Sequence, residues 1–518
     1  MVEEETAAEN ESHQLQKNRT IQGGEMKTRI WLTFAAMAIA VFVLIQCGTP
    51  ATPAPPPAPV VQTVVVPQTV VNTVKETVPV PQTVVAQQTV VVEPTKAPPS
   101  GVVKVLLIGK PDEDSIDQVT GKPVPGVQQL KKMFEEKYPT IDMQIINIPW
   151  GSGATGYGPK TETMIQAQEA CVYHMPGAFD YGRRGYLQNL DDFIKNDPDF
   201  KNVWGDNLAQ WRGWGPGNPD NQWGLPYSGG NRVIHYDAKL FEDWGVEPLS
   251  LHPTLQEIEE KAAKMTGKNP KTGEQNYGYW YQGKYINWQF QVIAHAFGAT
   301  WGKVNDDGTW TINWNTPEYL KALEWLVKMS KYAPPGALAA DAMPDGFLTD
   351  QNVVAIIPEG ETGYYLQPFV STPGLDKRFR TVYNIQGPDG KGGLFIADPI
   401  TMAASCPNKD AAWVVMKWLA GSVESQKYNF DSGGNLPVID AKLTMEAIPE
   451  LGKLTDAQAI LDQNAHAEKR YPWASSQPRF SLQTAIEAAL AGTLTPQQAL
   501  EQAQKETDDW LKQQQASK

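Results

Sequence analysis

The chain has 518 residues, 41% of them hydrophobic and 10% aromatic, which is enough apolar material for at least two folding units. Asp and Glu number 58 against 44 Lys and Arg, giving a formal charge of -14. Binding along a nucleic-acid backbone needs a strongly positive surface, so this balance argues against DNA or RNA as a partner.

The first informative segment is 30–45, which is apolar apart from Thr33, follows Lys27 and Arg29, and runs directly into Gln46 and Cys47. It is short for a bilayer span and of the right length for the hydrophobic core of an export signal. Glu3, Glu4, Glu5 and Glu9 are foreign to a signal peptide, which starts basic. Initiation at Met26 gives a Met-Lys-Thr-Arg start instead, and the sequence leaves Met1 and Met26 both open. Leu44-Ile45-Gln46-Cys47 resembles a bacterial lipobox, with Cys47 as the diacylated first residue of the mature protein and Gln46 in place of the usual small residue.

Residues 51–100 contain no aromatic residue and no glycine, but eleven prolines and fifteen valines. Gln-Thr-Val-Val recurs from Gln62, Gln68, Gln82 and Gln88. Valine and threonine favour extended backbone while repeated proline interrupts pairing, so the segment predicts an extended spacer. The expected organisation is thus a leader and lipoprotein signal peptide over 1–46, then the lipid-attachment cysteine and a disordered tether over 47–101. The remaining cysteines, Cys171 and Cys406, make one pair suited to an oxidising compartment, and the sequence does not say whether they meet. The absence of Cys-x-x-Cys argues against a redox enzyme or a structural zinc site.

Residues 102–108 form a compact apolar run, the pattern of a buried parallel strand. Val127, Leu130, Met133 and Phe134 recur at helical spacing within 126–138, Pro139 stops that helix, and 141–148 predicts a second strand. This strand–helix–strand order sets an α/β class. A helix over 161–170, a short strand over 172–179 and a helix from 187 follow, then a loop over 204–222 dense in Gly, Trp and Asn. Gly224-Leu225-Pro226-Tyr227 leads into an extended run over 231–236 suited to crossing between lobes. Helices are predicted over 255–265, with Thr254 as N-cap, and over 288–297 and 317–329. Strands are expected over 351–357 and 393–403 and a helix over 409–419. After the turn Ser432-Gly433-Gly434 the chain is mostly helical, ending with 496–511.

A series of phrases in order resembles the extracellular solute-binding proteins of family 1, typified by maltose- and other oligosaccharide-binding proteins. They are Gly224-Leu225-Pro226-Tyr227, Val233-Ile234-His235-Tyr236-Asp237, Leu240-Phe241-Glu242-Asp243-Trp244-Gly245 and Pro253-Thr254-Leu255-Gln256-Glu257. Pro407-Asn408-Lys409-Asp410-Ala411, Gly434-Asn435-Leu436-Pro437-Val438 and Gly492-Thr493-Leu494-Thr495-Pro496 continue the series, which spans 102–512. Asp237 and Leu255 stand where the family more usually has Asn and Trp. The resemblance implies a two-lobed periplasmic-binding-protein-like α/β fold with a hinge and an interlobe ligand cleft. Lobe one would hold 102–232 and 393–430, lobe two 233–392 and 431–512, with 513–518 a tail. It also implies capture of a mono- or oligosaccharide outside the cytoplasmic membrane by a lipid-anchored monomer, and delivery to the permease subunits of an ABC importer.

Sugars have apolar C–H faces rimmed by hydroxyls, so a site needs flat rings beside hydrogen-bonding groups. Trp150 and Ser152 follow the second predicted strand; Asp180 and Tyr181 follow the third. The resemblance makes Asp180 the first choice as acceptor for a sugar hydroxyl. Tyr227 lies near the crossing segment, and Trp280, Tyr281 and Trp288 form an aromatic cluster in lobe two. Glu359, Glu361 and Tyr364 follow the strand over 351–357, Gly434 and Asn435 offer backbone donors, and Trp473 is a further stacking candidate.

An exported glycoside hydrolase is the enzymatic alternative, but Glu359 and Glu361 are too close in sequence to straddle a glycosidic bond. No G-x-x-x-x-G-K-[ST] or H-E-x-x-H occurs and the six histidines are scattered, so no enzyme activity, metal or cofactor is expected. The identity of the sugar stays open, a non-sugar polyol included.

Overall fold

The structure, a computed structural model, describes residues 98–117, 121–150, 157–213, 220–230, 232–305, 309–340, 343–469 and 477–516. The predicted signal and tether with Cys47, and the candidates Ser152 and Trp473, lie outside them. The chain divides into Met1–Ala97 and Pro98–Lys518, and everything below concerns the second unit.

Its main strands are β1 (Gly101–Ile108), β2 (Ile141–Ile148), β3 (Val172–His174) and β4 (Gly224–Gly230), then β5 (Arg232–Asp237), β6 (Gly267–Lys268), β7 (Gln275–Tyr279), β8 (Val354–Glu361) and β9 (Phe379–Val382), then β10 (Leu394–Met402) and β11 (Glu468–Lys469). They form two sheets. Sheet one has the order β11-β10-β3-β1-β2, with β4 also paired to β10; sheet two has the order β9-β5-β8-β7-β6.

β1 pairs in parallel with β2 and with β3, and its second half, from Val105 to Ile108, is buried on both faces. Val103, Val105 and Leu107 pack with Trp413, Met416 and Trp418 of the helix Lys409–Gly421. Leu106 and Ile108, one residue out of phase, pack with Tyr173, Phe179 and Trp211. The helix Val127–Lys137 makes the β1–β2 crossover and buries Leu130 and Phe134. Cys171, just before β3, forms a disulfide with Cys406, beyond β10, across a Cα–Cα distance of 4.7 Å.

Sheet two has its own core, in which Ile234, Tyr279, Val354 and Ile356 meet Phe290, Tyr319, Leu323 and Leu326 from two flanking helices. The helix Leu255–Lys264 starts where the sequence expects it, the Thr254 hydroxyl accepting from the Glu257 N–H at 3.1 Å. It lies so close to β7 that a Cβ on Gly278 would come within 1.9 Å of the Ala262 carbonyl oxygen. Asp237 is fully buried and caps the helix Ala238–Trp244, accepting from the Lys239 N–H. Its carboxylate also meets Arg378 Nη2 at 3.0 Å and Asn352 Nδ2 at 2.9 Å. An aspartate suits this position because Arg378 supplies the countercharge.

The chain passes between the sheets at β4–β5 and again between β9 and β10. Asn384, in the second passage, donates to the Arg232 carbonyl oxygen at 3.2 Å, and Gln463 donates to Gly392 at 2.6 Å. Two sheets with separate cores, joined by several cross-bonded passages, make a two-lobed periplasmic-binding-protein-like α/β fold with a hinge.

Local boundaries differ from expectation in two places. The strand expected over 172–179 ends at His174, because Pro176 and Gly177 stop it and the helix Ala178–Arg183 begins. The expected loop over 204–222 contains the 3-10 helix Gly205–Trp211, whose Trp211 indole donates to the Ala397 carbonyl oxygen at 2.8 Å.

Candidate functional site

In open α/β sheets the crevice beyond the carboxyl ends of the strands is where ligands dock, because side chains there are held by strands but covered by loops alone. β1, β2 and β3 deliver Lys110, Trp150 and His174 to this edge of sheet one. Gly109 has φ +67°, and a Cβ there would lie 1.9 Å from Trp150 Cδ1, so the glycine lets the indole fold over the end of β1. Trp150 stays 49% exposed. Its ring is edge-on to Tyr157 at 4.9 Å and to His174 at 5.7 Å, and His174 is edge-on to Tyr227 at 5.3 Å.

Behind this row Lys110 is only 7% exposed. Its Nζ donates to Asn429 Oδ1 at 2.7 Å and lies 5.6 Å from the centre of the Tyr227 ring. Asn429 in turn donates to the Tyr227 carbonyl oxygen at 3.2 Å. Burial lowers the Lys110 pKa to about 7 and pushes that of the Tyr227 phenol up, with Tyr428 adding to the second shift. His174 Nε2 is 3.9 Å from Asp398 Oδ2.

Sheet two offers a different surface. β7 and β8 run parallel and Trp280 leaves the carboxyl end of β7. Here a small pocket is lined by Arg232, Trp280, Gln282, Tyr285, Trp288 and Gln289, with Met343 and Pro358. Gln289 donates to the Tyr279 hydroxyl at 2.8 Å. Its Oε1, and the indole N–H of Trp280, are buried without a hydrogen-bond partner among the described residues. The guanidinium of Arg479 lies over the Trp288 ring at 4.7 Å and over Phe480 at 5.3 Å, beside the exposed Tyr285 and Phe480. Gln483 fastens this corner, donating to the Gly283 carbonyl oxygen at 2.7 Å and accepting from the Asn287 N–H at 3.0 Å.

The structure thus brings Trp150 and Tyr227 together around His174, and Trp280 and Trp288 into one pocket. Trp280 and Trp288, like Tyr281 between them, are buried and belong to the core of sheet two. Asp180 and Tyr181 lie on the helix Ala178–Arg183; Gly177 is its N-cap. The Asp180 carboxylate meets Arg183 at 2.9 Å and Arg184 at 3.4 Å, and Arg184 also meets Glu162 at 2.6 Å. Tyr181 is buried, with its pKa raised mainly by burial. Gly434 is the left-handed cap of the helix Val423–Gly433, and the Asn435 N–H reaches the Asn429 carbonyl oxygen at 3.4 Å. Glu359 and Glu361 are in β8, where pairing with β5 is irregular between Ile357 and Gly360, and Tyr364 is in the helix Thr362–Ser371. Sequence reasoning missed Lys110, His174, Asn429, Arg232, Gln282, Tyr285 and Gln289. Lys110 was within reach of the rule that selected Trp150, since it too stands just past a strand end.

Among the described residues no group of three or more His, Cys, Asp or Glu is placed to hold a metal ion, and no helix is long and apolar enough to cross a membrane. Residues 120–424 match the family model described as bacterial extracellular solute-binding protein. The chain belongs to this family. A Brucella abortus protein described as a binding protein is 23% identical to this solute-binding protein over 414 residues, covering 77% of this chain and 92% of the relative. Among solved structures, the sugar-binding protein MalE of Xanthomonas citri aligns with TM-score 0.61 at 20% identity, over 80% of this chain and 98% of that one. An ABC substrate-binding protein of Listeria monocytogenes in complex with cycloalternan aligns with TM-score 0.60 at 20% identity, over 80% and 99%. A solute-binding protein of Thermotoga lettingae bound with α-D-tagatose aligns with TM-score 0.59 at 22% identity, over 80% and 100%. These likenesses establish the shared fold of the solute-binding protein, extracellular by family.

Proposed function

We propose that this solute-binding protein captures a sugar or oligosaccharide outside the cytoplasmic membrane and passes it, without chemical change, to the permease subunits of an ABC importer. The observation that carries the reading is the pocket at the end of β7. It sets two indole rings beside a buried donor, Trp280 Nε1–H, and a buried acceptor, Gln289 Oε1, that the described protein leaves unsatisfied. Apolar ring faces with unsatisfied polar groups between them are what a polyhydroxylated ring complements. The relatives holding cycloalternan and tagatose support the same ligand class.

In this reading the Trp150–His174–Tyr227 row and the pocket around Trp280 and Trp288 are the two walls of the cleft. Lobe one comprises 102–232 and 393–430, and lobe two comprises 233–392 and 431–512, with β11 returning to the edge of sheet one. Glu359, Glu361, Tyr364, Gly434, Asn435, Ser152 and Trp473 are proposed as further ligand contacts on the family resemblance. Cys47 carries the lipid, 47–101 holds the lobes clear of the membrane, and the protein acts as a monomer. Ligand bridging the walls favours a closed form by binding it more tightly than the open one.

Isothermal titration against a panel of neutral mono- and disaccharides, their uronic acids and sugar alcohols tests the reading. A saturable 1:1 heat with at least one member is expected, and no heat with any sugar or polyol overturns it. Solution scattering should show a smaller radius of gyration with that ligand; an unchanged radius would count against closure.

A further inference from the structure

Lys110 is the cation in the described structure with the least reason to be where it is. Lysines normally bury their stems and keep the ammonium in water. Here the whole side chain is covered, and Nζ has one neutral hydrogen-bond acceptor, Asn429 Oδ1, and one ring face, Tyr227. No carboxylate among the described residues comes within ion-pair distance of it. Asp112 accepts from Asn147 Nδ2 at 2.7 Å, Asp114 accepts from the Gly126 N–H at 2.7 Å, and Asp398 Oδ2 lies 3.9 Å from His174 Nε2. An ammonium taken out of water without a countercharge is costly, whereas a methionine would fill the same space without that cost.

Position shows what the lysine serves. It is the second residue past the end of β1, in the row that continues through Tyr227 and His174 to the exposed ring of Trp150. Asn429 holds Nζ from a helix more than three hundred residues away and is itself pinned by the Tyr227 carbonyl. The ammonium is therefore fixed in place while no described carboxylate answers its charge.

We propose that the ligand is an acidic sugar, a uronic acid or an oligosaccharide bearing one, whose carboxylate is held by Lys110. This rests on the sugar-binding reading above and narrows it. One ammonium beside one amide matches a monoanionic carboxylate rather than a phosphate dianion, which recruits arginine forks or helix N-termini. The lowered Lys110 pKa fits the assignment, because an arriving carboxylate stabilises the protonated amine.

The test is titration of the full chain at pH 7 with matched pairs: galactose and galacturonate, glucose and glucuronate, and the corresponding disaccharide pairs. The acid member of the binding pair is expected to bind tighter than its neutral partner by about tenfold or more, the worth of a charge-assisted hydrogen bond. Lys110→Met should bring that ratio to about one without lowering the melting temperature of the free protein. Lys132→Met, which removes an exposed helix charge, should leave the ratio as it is. Equal or tighter binding of the neutral sugar overturns the inference and leaves the sugar reading standing. So does a Lys110→Met variant that folds and keeps the ratio. Binding of no member, neutral or acidic, overturns both. The wild-type pairs decide the matter even where the variant does not fold.

Discussion

The two sheets end in walls of opposite construction. At sheet one, a buried ammonium, a histidine–aspartate pair and one exposed indole are gathered from residues 110, 150, 174, 227, 398 and 429, five of them on separate strands or strand ends. At sheet two, most of the pocket comes from a single stretch, Trp280 to Gln289, which sets three aromatic rings beside Gln282, Gln289 and Arg232. One wall is assembled by topology around a buried lysine; the other is written mostly locally and sets ring faces beside Arg232 and Arg479. A ligand that needs both must wait for closure, so neither wall alone binds it well.

The largest expected effect separates the sheets by stability. Cys171–Cys406 closes a span of 235 residues and ties β3 to the segment beyond β10. Replacing both cysteines with serine should cost about 2–5 kcal/mol. By hydrogen exchange, protection should fall first in β1, β3 and β10, with β5, β7 and β8 following later. Equal loss across both sheets would mean that the lobes unfold as one unit and that their separation is only geometric.

Sheet two has a corresponding weak point in acid. His235 on β5 is fully buried beside Thr381 Oγ1 at 3.0 Å, and burial lowers its pKa from 6.5 to about 3. The unfolded chain therefore takes up a proton below 6.5 that the folded chain refuses. Stability from this group is whole above 6.5 and is lost as pH falls toward 3, about 2 kcal/mol of it between pH 6.5 and 5. His235→Gln should flatten that part of the stability profile in urea titrations. An unchanged slope would assign the acid sensitivity to other groups.

Binding sharpens the contrast further. Trp280→Phe keeps a ring in the pocket but removes the unsatisfied indole N–H. Sugar affinity should fall about tenfold, with the free protein no less stable, because a buried donor without an acceptor is a cost that ligand alone repays. Unchanged affinity would mean that the pocket is core and that the aromatic wall lies elsewhere.

The same contrast explains what the sequence disclosed. The α/β order, the buried β1 and the Thr254 cap were legible because strand runs, helical spacing and capping chemistry are local. Trp280 and Trp288 were legible as a cluster because they are eight residues apart. The charged wall was not, since nothing near residue 110 in the chain points to Asn429, and only the packing of the helix Val423–Gly433 against sheet one brings them together. The disulfide was open for the same reason. Asp180, which the family resemblance marked as an acceptor, lies on a helix and not at a strand end, because the strand stops early at Pro176-Gly177.

Asp180→Asn is accordingly the smallest expected effect and a direct test of which wall residues matter. The carboxylate is partly exposed and already held by Arg183 and Arg184, with Glu162 sharing the second arginine. Surface pairs of this kind contribute about 0–1 kcal/mol, and the remaining Arg184–Glu162 pair retains part of that. Sugar affinity should move by less than about twofold, since a group saturated by two guanidinium ions has little left to offer a hydroxyl. A loss of about tenfold would show that Asp180 exchanges an arginine for ligand on binding. In that case the wall of sheet one extends from β1 across to the helix Ala178–Arg183, and its charge is negative at one end and positive at the other.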